Sequence, residues 1–236
     1  YAKNFRSKFS LILNISPDHL ERHLTMKKYI QSKLKCVTNQ IHHDTSIIQD
    51  NEAIKNILKV KRVNSKIIFL RKKNYIYLKK KIQNDYFKKF INFQNVEFIF
   101  ELSKFFNLKT KNILNSINNF RPLNFRHELI HDSKHVKVIN DSKSTSLSST
   151  TPFLETKEKT YWILGGLSKK GDKFNLKNKY FKNLYGFIYG KDKKKFYRIL
   201  KNKINIKLNN NLRDTIILIS KRIKNENKKI TILFSP

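Results

Sequence analysis

Apolar runs of strand length alternate along this chain with stretches whose apolar residues recur at helical spacing. The first run, Phe9 to Ile15, stops at Ser16-Pro17, and a helix is expected within residues 26–37. Ile67 to Leu70 and Tyr75 to Leu78 read as short strands on either side of the polar turn Arg71-Lys72-Lys73-Asn74. From Asn95 to about Phe106, the residues Val96, Ile99, Phe100, Leu102 and Phe105 keep helical spacing. A second helix is expected from about Lys111 to Phe120, where Arg121-Pro122 stops it. Beyond Pro122 the alternation is more regular. Val136 to Ile139, Tyr161 to Leu164, Tyr185 to Tyr189 and Ile230 to Phe234 read as strands. Residues 146–155, 193–200 and 212–223 read as helices, the first opening on Ser/Thr capping chemistry. Such alternation predicts a doubly wound α/β layer on a mostly parallel sheet. With 236 residues, at ~150 residues per domain, there is room for two modest domains. The boundary is expected near Pro122, giving domains at 1–122 and 123–236, the second Rossmann-like.

A hydrophobic fraction of 39% is enough for a real core. The single cysteine, Cys36, excludes an internal disulfide or a multi-cysteine zinc site and fits a reducing, cytoplasmic setting. No apolar run approaches the ~20 residues of a membrane span. The charge is extreme: 51 Lys+Arg against 17 Asp+Glu, a net +34. One reading is a nucleic-acid-binding surface. The other is drift toward A/T-rich codons, which also fits the crowding of Lys, Asn, Ile, Phe and Tyr. The basic residues are spread along the chain, and Lys79-Lys80-Lys81 and Lys193-Lys194-Lys195 read as solvated faces. Codon drift is preferred, with non-specific rather than specific nucleic-acid binding as its consequence.

Three polar clusters follow expected strands, where α/β sheets place ligands. Asn14-Ile15-Ser16-Pro17-Asp18-His19-Leu20-Glu21-Arg22-His23 holds two carboxylates and two imidazoles within six positions, either a magnesium-type donor set or an acidic helix start. Asn140-Asp141-Ser142-Lys143-Ser144-Thr145 suits a polar ligand or phosphate, or an ordinary N-cap turn. Gly165-Gly166-Leu167-Ser168-Lys169-Lys170-Gly171 lets backbone approach a ligand and adds cationic charge, or is a plain loop.

In this order and spacing the clusters resemble the Mur ligase family. Leu13 to His23 with Tyr29-Ile-Gln-Ser-Lys33 is similar to the family's central-domain signature. Ile139 to Thr145, Ile163-Leu-Gly-Gly166 and Ile232-Leu-Phe-Ser-Pro236 are similar to its carboxy-terminal domain. The resemblance implies part of a central nucleotide-binding domain followed by a Rossmann-like domain. It further implies an ATP-dependent amide ligase that joins D-glutamate to UDP-N-acetylmuramoyl-L-alanine through an acyl phosphate, in peptidoglycan precursor synthesis. A sister Mur ligase or a folylpolyglutamate-synthase-type enzyme is the alternative within the fold, and a basic nucleic-acid-binding protein the alternative outside it. By the resemblance His19 is a Mg²⁺ ligand, and Lys33 is carbamylated and lies beside the metal. Asn92-Phe-Gln-Asn95 is similar to a family motif at a helix start, with Asn95 on the ATP. Arg126 and Asp141 also fall on nucleotide contacts, and Phe125 stands where the family has histidine. Lys143 lines the active site, Thr145 lies on the amino-acid side, and Lys169 or Lys170 binds D-glutamate. All five glycines lie at or beyond Gly165, so the family's Gly-x-x-Gly-Lys-Thr phosphate loop is not in this sequence. The chain is therefore expected to be an internal stretch of such a ligase, without ligase activity by itself.

Overall fold

The computed structural model describes residues 5–17, 20–71, 75–88, 90–169 and 171–236, and not the side chains of residues 90 and 91. His19 and Lys170, and residues 72–74 of the expected turn, lie outside them. Contacts divide the chain into two units, Tyr1–Phe120 and Arg121–Pro236. Among the described residues no helix is long and apolar enough to cross a membrane.

In the first unit, β1 (Phe9–Ile12), β2 (Thr45–Gln49) and β3 (Lys66–Leu70) form a parallel sheet in that order, with Phe9 opposite Thr45 and Thr45 opposite Lys66. Between β1 and β2 run the helices α1 (Leu20–His23), α2 (Met26–Lys33) and α3 (Lys35–Thr38), and α4 (Glu52–Lys59) links β2 to β3. After β3 come α5 (Asp85–Lys88), α6 (Phe90–Ser103) and α7 (Thr110–Asn118). Strand side chains alternate between faces. Ile12 and Ile48 pack with Ile30, Leu34, Ile54 and Leu58 on one side. Ile47 and Leu70 pack with Leu78, Phe93, Val96, Phe100 and Ile113 on the other.

Tyr75 to Leu78 is not a strand. Residues Ile76–Lys81 form a 3₁₀ helix instead. Tyr75 and Leu78 are buried while Ile76 and Tyr77 are exposed. The three-residue spacing of the buried pair puts both on one face of a helix with three residues per turn.

Within the apolar surroundings of α6 sits Glu97, 2% exposed, with its Oε2 lacking a hydrogen-bond partner among the described residues. Burial pushes its carboxyl up from 4.5 to about 7. The folded state therefore holds this proton where the unfolded chain has lost it. Stability from this group is greatest below pH 4.5 and declines as pH rises to about 7. Glu97→Gln should remove that decline and be the more stable protein above pH 7 by roughly 1–3 kcal/mol. Urea unfolding followed by far-ultraviolet circular dichroism across this range checks it, and a pH-independent difference between the two proteins would contradict it.

The second unit has a six-stranded sheet in the order β4-β5-β9-β6-β7-β8. The strands are β4 (Glu128–Asp132), β5 (Val136–Asn140), β6 (Thr160–Gly165), β7 (Leu184–Tyr189), β8 (Asn205–Leu208) and β9 (Ile230–Phe234). Only β4 is antiparallel to its neighbour. Helix α8 (Leu147–Leu154) connects β5 to β6, α9 (Lys193–Leu200) connects β7 to β8, and α10 (Leu212–Ile223) leads to β9. Alternation along β6 sends Trp162 and Leu164 into a core with Leu147, Leu154, Phe196 and Leu200. Tyr161 and Ile163 go to the opposite face, against Ile219 of α10.

Candidate functional site

The chain leaves β5 and crosses over β9's position to reach β6, and β9 later returns to fill the gap. That is a topological switch point, and the loops at the carboxyl ends of the three strands form the crevice ligands use in open α/β sheets. The polar cluster 140–145 leaves β5, the glycine loop leaves β6, and Ser235-Pro236 leave β9. Backbone bonds lace these ends together. The Asp141 N–H donates to the Phe234 carbonyl at 2.7 Å and the Ser235 N–H to the Ile163 carbonyl at 3.0 Å.

A pocket lies between the three loops, lined among others by Thr145, Ser146, Leu147, Lys169, Asp172 and Ser235. The Ser235 hydroxyl shares a 2.5 Å hydrogen bond with that of Thr150 on α8. Ser146 caps α8: its Oγ accepts from the Ser149 N–H at 3.2 Å, and the Ser149 hydroxyl accepts from the Ser146 N–H at 3.2 Å. The glycine loop is held where only glycine fits. A Cβ on Gly165 would run into the Tyr189 carbonyl. Gly190 has φ +87°, and a Cβ there would stand 2.7 Å from the Gly166 nitrogen. The ends of β6 and β7 thus approach backbone to backbone. Asp192 continues the clamp, its Oδ2 accepting from both the Ser168 N–H and hydroxyl at 2.9 Å. Those bonds, chiefly the backbone one, hold the Asp192 carboxyl below the usual carboxylate range.

A second constellation surrounds Arg126. The Lys143 N–H donates to the Phe125 carbonyl at 3.0 Å, and the His127 N–H to Asp141 Oδ1 at 2.9 Å. Phe125 (φ 65°) and His127 (φ 54°) both adopt the left-handed conformation that side chains disfavour, on either side of Arg126. The His127 ring stacks on Phe153 at 4.2 Å. These contacts hold the strained turn, and Asp141, 3% exposed, anchors it from the end of β5. Arg126 and Lys143 are exposed.

The structure therefore brings Thr145 and Lys169 to one pocket, and ties the loop of Arg126 to Asp141 and Lys143. In the first unit, Lys33 is the exposed last residue of α2, its Nζ 5.5 Å from the Tyr29 ring centre. His23 packs on the same ring at 5.3 Å. Asn95 is half-buried in α6. The sequence places the motif Asn92–Asn95 at a helix start, but it does not open that helix. α6 begins at Phe90, and buried Asn92 donates from Nδ2 to the Tyr86 carbonyl at 2.8 Å. Among the described residues no three His, Cys, Asp or Glu side chains come together to hold a metal. Asp172 and Asp192 were not singled out from the sequence, and Ser235 entered only as part of the motif Ile232–Pro236 with no role assigned. The available signal was scarcity: in a chain with 17 acidic residues, an aspartate beside a glycine loop stands out.

The fold and crevice define a doubly wound α/β protein with a ligand crevice at the carboxyl ends of its strands. Residues 2–118 match the Mur ligase middle domain, and through them the chain belongs to the Mur ligase family. It is 28% identical over 255 residues to UDP-N-acetylmuramoylalanine–D-glutamate ligase of Rickettsia felis, an alignment covering 100% of this chain and 57% of that protein. It is 31% identical over 259 residues to the enzyme of the same name in Buchnera aphidicola, covering 99% and 56%. The chain thus spans little more than half the length of these relatives. MurF from Acinetobacter baumannii superposes with a TM-score of 0.70 at 12% identity, over 97% of this chain and 56% of that one. MurF from Thermotoga maritima in complex with ADP gives 0.65 at 11%, over 97% and 58%. At these identities the two structures establish the fold alone.

Proposed function

We propose that the full-length protein containing this chain is an ATP-dependent amide ligase that adds D-glutamate to UDP-N-acetylmuramoyl-L-alanine, in cytoplasmic peptidoglycan precursor synthesis. The observation that carries this reading is the pocket at the ends of β5, β9 and β6. It gathers the hydroxyl-bearing Thr145 and Ser235 and the ammonium-bearing Lys169 at the switch point. The Lys169 ammonium beside the Thr145 hydroxyl suits a carboxylate of a small amino acid, the α8 N-terminus being occupied by Asp172. The names of the Rickettsia and Buchnera relatives support that acceptor.

In this reading ATP phosphorylates the L-alanyl carboxylate. The free amine of D-glutamate attacks the acyl carbon, loses a proton, and phosphate leaves. Lys169 holds a glutamate carboxylate, with Lys170 as its neighbour in that role, and Thr145 orients the amino acid. Lys143 faces the phosphorylated carboxylate, while Asn95, Arg126 and Asp141 serve the nucleotide. Bound magnesium would neutralise phosphate charge. His19 and a carbamylated Lys33 are its proposed holders on this chain. Of these only Lys33 is among the described residues, and an uncarbamylated ammonium is no ligand, so no step is derived through the metal.

The test is phosphate release by the full-length protein. It should require ATP, UDP-N-acetylmuramoyl-L-alanine and D-glutamate together, and release that ignores either acceptor would overturn the reading.

A further inference from the structure

We propose that Asp172 is a positioning residue that sets Lys169 in the amino-acid pocket, by fastening the glycine loop to the N-terminus of α8. This rests on the ligase reading for the pocket's ligand, but its geometry stands independently. The Asp172 Oδ2 accepts from the Leu147 N–H at 2.5 Å and Oδ1 from the Ser148 N–H at 3.0 Å. These are the first two amides of α8, and the third, Ser149, is taken by Ser146. The Asp172 N–H in turn donates to the Lys169 carbonyl at 3.3 Å, closing a turn that begins at the lysine. On its other side Lys169 follows Ser168, whose N–H and hydroxyl are both held by Asp192. Lys169 is therefore the residue strung between two carboxylate anchors, one on α8 and one beside α9.

Electrostatics favours the same role. A carboxylate lining a pocket for an anionic amino acid would repel its ligand. Here both oxygens face the partial positive charge of a helix N-terminus, which balances the charge locally. The helix end is then spent on Asp172, and the ligand's carboxylate is left to Lys169. Asp172 binds nothing itself; it acts through where it puts the lysine.

Asp172→Asn keeps the shape but turns one acceptor into an N–H donor facing an amide N–H, so one anchor is lost. In the full-length protein the KM for D-glutamate should rise at least ~10-fold while kcat stays within ~3-fold, since binding and not the chemical step is affected. The melting temperature should fall by no more than a few degrees. Labelling of Lys169 by an acylating reagent, read by mass spectrometry on the full-length protein, should change several-fold against other lysines. A changed melting temperature with KM and Lys169 labelling both unaltered would overturn the proposal and leave Asp172 a helix cap only. If the wild-type protein shows no D-glutamate-dependent turnover, the ligase reading fails separately. Lys169 labelling then decides alone, an unaltered rate in Asp172→Asn overturning the positioning role.

Discussion

Replacing Lys33 with alanine in the full-length protein should reduce ATP- and D-glutamate-dependent phosphate release by orders of magnitude. The expectation follows from the carbamate proposed for this side chain. As an ammonium at the exposed end of α2, Lys33 offers no lone pair. Reaction of its neutral amine with CO₂, releasing one proton, gives a carbamate with the donor set of a carboxylate. Alanine would remove that proposed anion at little packing cost, because among the described residues Lys33 belongs to no core cluster and its Nζ lies 5.5 Å from the Tyr29 ring centre. The folded state should therefore persist, and short carboxylates such as acetate should restore part of the lost rate. Activity within ~3-fold of wild type, read as a transition-state difference, would remove Lys33 from the machinery.

Replacing Trp162 with alanine should cost the second unit about 3–5 kcal/mol, a large share of the ~5–15 kcal/mol typical of a domain. Trp162 is the chain's single tryptophan and is 1% exposed. It sits mid-strand in β6, opposite Gly186 of β7 and Leu233 of β9, with its ring stacked on Phe174 at 5.8 Å. Truncation would open a void at the centre of the sheet that Gly186 cannot fill. Trp162→Phe should cost far less, within ~1.5 kcal/mol. It keeps a ring there and removes an indole Nε1–H that has no partner among the described residues. Denaturant unfolding by circular dichroism compares the three proteins. An alanine variant within ~1 kcal/mol of wild type would mean that this core relaxes around the loss.

What the sequence disclosed follows from where each element's burial comes from. β6, β7 and β9 lie well buried inside the parallel part of the sheet and β5 is paired on both edges, so their apolar runs stand out and their limits were legible to within a residue or two. β4 and β8 are exposed edges with mixed residues, Glu128–Asp132 and Asn205–Leu208, and carry little apolar signal. β2 escaped for a different reason. All five of its residues are buried, but Thr45, Ser46 and Gln49 are polar. They are tolerated because Ser46 donates to Gln40 at 2.6 Å and Gln49 to the Leu70 carbonyl at 3.1 Å. Periodicity cannot register burial that is met by side-chain hydrogen bonds. Thr145 and Lys169, proposed from motifs that follow strands, line one pocket. Ser235, quoted only as part of a motif, gained a place in the pocket when the sheet order put β9 between β5 and β6, and Asp172 when its carboxylate met the first amides of α8.

The measurement closest to the central claim compares the two enantiomers of glutamate in the phosphate-release assay. The full-length protein, given ATP and UDP-N-acetylmuramoyl-L-alanine, should release phosphate with D-glutamate and remain near background with L-glutamate. In the proposed reading Thr145 and Lys169 would hold the acceptor at more than one point, which is what tells one enantiomer from the other. Equal release with both enantiomers, or release with neither while another amino acid serves, would contradict the assignment of this pocket to D-glutamate.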